Sequence, residues 1–235
     1  MLPKISYPIH ELTIPSTKEK FMFRPFLVKE EKLLLMAKTS DDPSEILRAI
    51  KQVVNNCCLD EKFDVDDIAI FDIEYIFIRI RAFSINNIAS VSYRDNEDNE
   101  IYTFDIDLNS IEVQFPEGVD AIIKINDASG IVMKYPRAQI FDDQEYFNSG
   151  ENAFYELVIR SMHQVYQDED VYDLKTFSRK EIEEFLDNLD IATYQKIVKF
   201  MESTPKLYYK IEYKNKNGTE RKIELRSLAD FFTLG

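Results

Sequence analysis

The side chains of this sequence that could do chemistry are two histidines, two adjacent cysteines and several acidic runs. A histidine can act as a general base or a metal ligand, but His10 and His163 both lack a second histidine, a cysteine or a carboxylate at zinc-motif spacing. His10 falls in an extended N-terminal stretch, and His163, beside Met162, is expected on the surface of a helix. Cys57 and Cys58 are neighbours, so a disulfide between them would be strained, and a thiolate metal site would need four soft ligands that the chain does not have. Two acidic runs stand out, residues 60–67 and 95–100. The second superficially suits calcium, yet it lacks the central glycine and the terminal glutamate spacing of an EF-hand and is expected to be a solvated turn. Nothing singles out one carboxylate pair for sugar hydrolysis among 43 acids. There is no G-x-S-x-G, no Walker sequence, no glycine-rich phosphate loop among five glycines, and no cysteine in a nucleophile context. The expectation is therefore a protein that is not an enzyme, with no catalytic residue, no cofactor-binding residue, no cofactor and no metal site.

Three arginines remain as candidates for recognition. Arg79 and Arg81 flank Ile80, and Arg160 lies on a later helix, each among aromatic or apolar neighbours. Such cations can anchor an interface. The alternative reading, ion pairing with the chain's own carboxylates, carries more weight.

Composition narrows the class further. The chain has 235 residues, 45% of them hydrophobic, so it can bury a substantial core. Its formal charge is −14, from 43 acidic against 29 basic side chains, which argues against binding a phosphate backbone. That charge suits a protein that repels its own copies until a partner neutralises it. Adjacent cysteines with no disulfide framework point to a reducing compartment. The N-terminus has no uninterrupted apolar run of the signal-peptide kind, and charge breaks every apolar cluster, so no membrane span is expected.

The elements that must position these side chains are legible in outline. Pro3, Pro8 and Pro15 keep the first residues extended, and Leu12 to Ile14 can pair with Phe21 to Phe23 as a hairpin. A helix is expected from about residue 29 to 38. Asp42, Pro43 and Glu45 then form a strong start signal for a second helix, with Ile46, Leu47, Ile50, Val53, Val54 and Cys57 on its buried stripe. Residues 71–83 fit both a strand and a helix, and Asp72 and Glu74 favour the helix. From 88 to 133 the pattern turns to strand, with hairpins near residues 91–107 and 112–125, and with Gly130 at a turn. Phe154, Leu157, Val158, Met162 and Val165 make a helical stripe. Ser178 and Glu181 form a capping box for a helix to Leu189. Tyr194, Ile197, Val198 and Met201 mark another helix, ended before Pro205. A last hairpin, near residues 208–226, closes around Asn217-Gly218.

Two of these hairpins echo each other. Ile106-Asp107-Leu108-Asn109-Ser110-Ile111 matches Ile223-Glu224-Leu225-Arg226-Ser227-Leu228, and each follows an apolar-x-Tyr strand and a polar turn. The match is short enough to arise by chance, or it marks two related hairpins, one in each half.

Four segments in order carry a resemblance: Arg24-Pro25-Phe26-Leu27-Val28-Lys29-Glu30-Glu31-Lys32; Ala49 to Cys57; Phe71-Asp72-Ile73-Glu74-Tyr75 with Arg79-Ile80-Arg81-Ala82; and Val132-Met133-Lys134-Tyr135-Pro136. Together they resemble the baseplate hub subunits and hub-assembly proteins of T-even-like tailed bacteriophages. The order of elements itself points to an α+β fold of two lobes, each combining helices with a small antiparallel hairpin or sheet. One lobe would cover residues 1–140 and the other 141–235. In that family such hairpins often look like zinc ribbons with Cys-x-x-Cys in the turn. Here the turns at 94–100 and 214–220 hold no cysteine, so only a degenerate, metal-free ribbon shape is expected. The resemblance further implies a non-enzymatic role in building the central hub of a contractile-tail baseplate, in the host cytoplasm. The partners would be other phage baseplate hub proteins, with no nucleic acid and no membrane, and with a homo-oligomer left open. The chain would then be a subunit retained in the virion tail or a transient assembly chaperone. A third reading is an acidic inhibitor or decoy of a host nucleic-acid-binding protein.

Overall fold

The computed structural model of the chain describes residues 6–40 and 42–231. In chain order its longer elements are β1 (His10–Thr13), β2 (Lys20–Phe23), α1 (Val28–Lys38), α2 (Pro43–Cys57), α3 (Ile70–Ser84), β3 (Ile88–Arg94), β4 (Ile101–Asp107), β5 (Glu112–Gln114), β6 (Ile122–Lys124) and β7 (Ser129–Met133). There follow α4 (Gln144–Asn148), α5 (Ala153–Ser161), β8 (Met162–Gln167), β9 (Asp170–Asp173), α6 (Arg179–Asp187), α7 (Ile191–Glu202), β10 (Lys206–Lys214), β11 (Glu220–Leu225) and α8 (Leu228–Phe231). The fold is α+β: helices with small antiparallel sheets. The backbone groups into two compact units. The first unit runs to Gln114 and resumes at Pro205; the second is Phe115–Thr204. The terminal hairpin joins the first unit because Lys206, Leu207 and Tyr208 of β10 pair with Gln114, Val113 and Glu112 of β5.

In the first unit, β1 and β2 pair antiparallel as the alternation predicts, with Leu12 opposite Phe21. Asp42 caps α2 by accepting the Ser44 N–H at 2.8 Å, and Pro43 opens the helix. The ambiguous segment is helical, as α3. The cause of the ambiguity is visible: Phe71, Ile73, Ile76, Phe77, Ile78 and Ile80 are all buried, so the helix is apolar nearly all round and shows no clean period.

The two echoing hairpins, β3–β4 and β10–β11, meet at their turns. Asp95 is buried at the start of one turn and Asn215 at the start of the other. The Tyr213 hydroxyl donates to Asp95 Oδ2 at 2.5 Å, and Arg221 Nε stands 3.1 Å from the same oxygen. Arg221 also reaches Asn96 Oδ1 at 2.5 Å, and the Thr219 hydroxyl donates to Glu97 at 2.8 Å. On the other side the Lys216 N–H donates to the Tyr102 hydroxyl at 2.7 Å, while Tyr102 donates to Asp98 at 2.6 Å. The rings of Tyr102 and Phe104 lie 4.8 and 5.1 Å from that of Tyr213. A zinc ion does not fit these residues. The turns offer hard carboxylate oxygens already holding N–H and O–H donors, with the Arg221 cation set against Asp95.

The second unit is a four-stranded antiparallel sheet of order β6-β7-β8-β9 with α4 to α7. Its core includes Ile131, Val158, Ile197 and Phe200. Two expectations are corrected here. The stripe through Met162 and Val165 is not one helix: α5 ends at Ser161, and Met162 to Gln167 is strand β8, so His163 lies on a strand. Met162 takes extended backbone angles, and its side chain is buried, because β7 is there to pair with β8. Gly130 is not at a turn but inside β7. A Cβ there would meet the Tyr166 hydroxyl at 2.5 Å and the Ile123 carbonyl at 2.7 Å, so glycine admits the cross-strand tyrosine. The Ser178 and Glu181 capping box is present, and α6 closes at Asp187, two residues early.

Candidate docking surface

The N-terminal signature is an anchor for one helix. Pro25 ends β2, and the chain turns into α1 at Leu27. Arg24 folds back so that its guanidinium donates to both Glu30 oxygens, at 2.9 and 3.3 Å, and to the Asn56 carbonyl at 2.7 Å. The Leu27 N–H donates to Glu30 Oε2 at 2.9 Å, which satisfies one free donor at the start of α1. Glu30 is wholly buried. Burial pushes its carboxyl up, but the bonds from Arg24 and Leu27 outweigh that and hold it below its usual value. The Arg24 N–H donates to the Cys57 carbonyl at 2.9 Å, and the Phe26 N–H to the Ser84 hydroxyl at 2.8 Å. α1 is thereby tied to the ends of both α2 and α3.

This anchoring decides which face of α1 is left outside. Glu30 and Ala37 point inward. Val28, Leu35 and Met36 stay 69%, 57% and 72% exposed, with Lys32 between them. At α-helical spacing these four side chains fall within about 100° of one another. Ile85, 63% exposed, follows Ser84 and lies close to the start of the same helix. An apolar helix face set with lysine offers contact area and no reactive group, which is what a protein partner covers.

The other candidates have internal duties. Arg79 donates to the carbonyls of Leu108 and Ile111, at 3.3 and 2.9 Å, and lies over the Tyr75 ring. Arg160 pairs with Asp143 at 2.6 Å and with Glu156. Arg81 donates to the Asn86 carbonyl at 3.5 Å. His10 stacks on Phe83 at 4.0 Å. In the first acidic run, Asp60 accepts the Met22 N–H at 2.6 Å and Asp66 pairs with Lys51. Cys57 is buried, and burial pushes its thiol up to about 12. Among the described residues no three His, Cys, Asp or Glu side chains gather as a metal site, and no helix is long and apolar enough to cross a membrane.

The profile of the T4 bacteriophage base plate proteins matches residues 7–233, nearly the whole chain and both compact units. The chain belongs to that family. The match begins ahead of β1 and extends past α8, so base plate membership covers the α1 anchor and the paired hairpins alike. A base plate protein has a structural or assembly role in the phage tail and works against other base plate proteins. No curated protein and no solved structure matches the chain.

Proposed function

We propose that this chain is a component of, or an assembly factor for, the central hub of the phage baseplate, acting through protein contacts and without a catalytic step. The observation that carries the reading is the family match over residues 7–233. It is supported by the exposed Val28, Leu35 and Met36 on an anchored helix, while Arg24, Glu30, Asp95 and Arg221 hold the fold together. In this reading the partners are other hub proteins, and assembly takes place in the host cytoplasm. The net charge of −14 favours a partner with a basic face.

Quantitative mass spectrometry of purified particles, with cross-linking, tests the reading. A hub component is present in stoichiometric amount with cross-links to central baseplate proteins. An assembly factor is absent from particles but cross-links to the same proteins in infected cells. Cross-links only to peripheral baseplate or tail-tube proteins would overturn the hub assignment.

A further inference from the structure

The second unit contains a basic cleft in a chain that is otherwise strongly acidic. It has a volume of about 280 Å³ and lies between β6 and α7, lined by Lys124, Lys196 and Lys199, with Ile122, Val119 and Phe200. Lys196 and Lys199 stand three residues apart on α7, so they share a face. None of the three lysines is ion-paired among the described residues, although acids outnumber bases 43 to 29 in the chain. One carboxylate lines the cleft, Asp120, and it accepts the Ile122 N–H at 2.9 Å. Asp190, at the start of α7, also acts electrostatically on Lys196, so three cations face two carboxylates and the cleft keeps a net positive charge.

The backbone beside it is open. β6 is an edge strand of the β6-β7-β8-β9 sheet. The Met133 N–H donates to the Ala121 carbonyl, and the Ile125 N–H to that of Ser129, so the odd-numbered residues bond across to β7. Alternation then turns the peptide groups of Ile122 and Lys124 outward. Asp120 takes the Ile122 N–H, and Lys196 Nζ donates to the Lys124 carbonyl at 2.8 Å. The Ile122 carbonyl and the Lys124 N–H have no partner among the described residues, one acceptor and one donor, either side of Ile123. The Ile122 side chain, 47% exposed, adds an apolar contact at the same place.

We infer that this cleft binds an extended, acidic segment of a partner polypeptide, laid along β6 with its carboxylates on Lys124, Lys196 and Lys199. The unmatched positive charge in an acidic chain selects carboxylates. The free carbonyl and N–H of the edge select an extended backbone. A volume of about 280 Å³ admits a few side chains and not a helix or a folded surface. The site is separate from the α1 face and stands whether or not the hub reading holds.

The test is binding of a labelled peptide alternating glutamate with valine, followed by amide NMR shifts on the intact chain. The acidic peptide should move the Ile122 to Lys124 amides and bind more weakly as salt is raised. The exposed double substitution Lys196→Gln with Lys199→Gln should weaken it about tenfold without altering the circular dichroism. Equal binding of a glutamine–valine peptide would overturn the inference. So would shifts mapping away from β6, an unchanged affinity in the double variant, or tighter binding of a single-stranded oligonucleotide. Absence of any binding would leave the lysines as guards of an open edge, which also overturns it.

Discussion

Tyr213 on the terminal hairpin donates its hydroxyl proton to Asp95, a residue 118 positions earlier, at 2.5 Å. That bond, with Arg221 on the same carboxylate, joins the two echoing hairpins at their turns. Burial and the carboxylate beside it push the Tyr213 phenol up to about 12, so it remains a donor throughout the physiological range.

Loss of this junction should be felt asymmetrically. Tyr213→Phe removes one donor and leaves Arg221 on Asp95; it should lower the melting temperature by a few degrees. Asp95→Ala takes the acceptor from Tyr213 and one of three partners from Arg221, which keeps Asn96 and Glu97, and should lower it further. The double variant should fall short of the sum, because the two residues share one interaction. Additive shifts in a calorimetric cycle would count against the junction.

The Arg24 and Glu30 pair gives a second expectation. Glu30→Ala leaves a guanidinium that is only 13% exposed without its counter-charge and should cost on the order of 3–5 kcal/mol. Replacing both with methionine should cost less than either single truncation to alanine, since no unpaired charge is then buried. Urea denaturation measures both. The carboxyl is held below its usual value when folded, so this stabilisation is present above that value and is lost as pH falls through the folded one.

Asp72 should show the opposite pH dependence. It is wholly buried and takes the Ser16 N–H at 3.0 Å together with the Ser16 hydroxyl. Burial raises it from 3.8 to about 6. Below about pH 4 the group is protonated folded or unfolded. Between about pH 4 and about 6 the unfolded chain ionises while the folded state keeps its proton, so stability falls across that window by on the order of 3 kcal/mol and is level above it. Asp72→Asn should therefore match the parent near pH 4 and exceed it at pH 7.5. Glu74, raised to about 7 chiefly by burial, acts in the same direction. Equal stability of parent and variant at pH 7.5 would contradict the assignment.

Cys57 and Cys58 should differ in reactivity despite being neighbours. Cys57 is fully buried at the end of α2, while Cys58 is partly exposed. Native-state alkylation read by peptide mass should modify Cys58 first. Cys57→Ser should destabilise by about 1–3 kcal/mol, because a hydroxyl replaces a thiol on an apolar stripe.

What could be read in the sequence was local. Asp42 with Pro43, Ser178 with Glu181, and Asn217-Gly218 each act on backbone within a few residues, and each marks the element it signals. What could not be read depends on distant pairing. Leu157, Val158, Met162 and Val165 satisfy helical spacing, yet β7 draws the last two into a strand. The terminal hairpin reads as belonging to the helices before it, until β10 is seen paired with β5. The basic cleft was invisible for the same reason, since Lys124 and Lys196 are 72 residues apart. The α1 face was the intermediate case. Its residues were conspicuous, but the buried side could be assigned only once Glu30 was seen turned inward to Arg24.

Affinity isolation of the tagged chain from infected cells, with quantitative mass spectrometry of what accompanies it, decides whether the chain works by docking onto other baseplate proteins. The account expects other baseplate proteins of the same phage in fixed ratio, retained when every histidine and cysteine is replaced by variants that still fold. Isolation of the chain without any baseplate protein, or with turnover of a substrate that one such replacement abolishes, would contradict it.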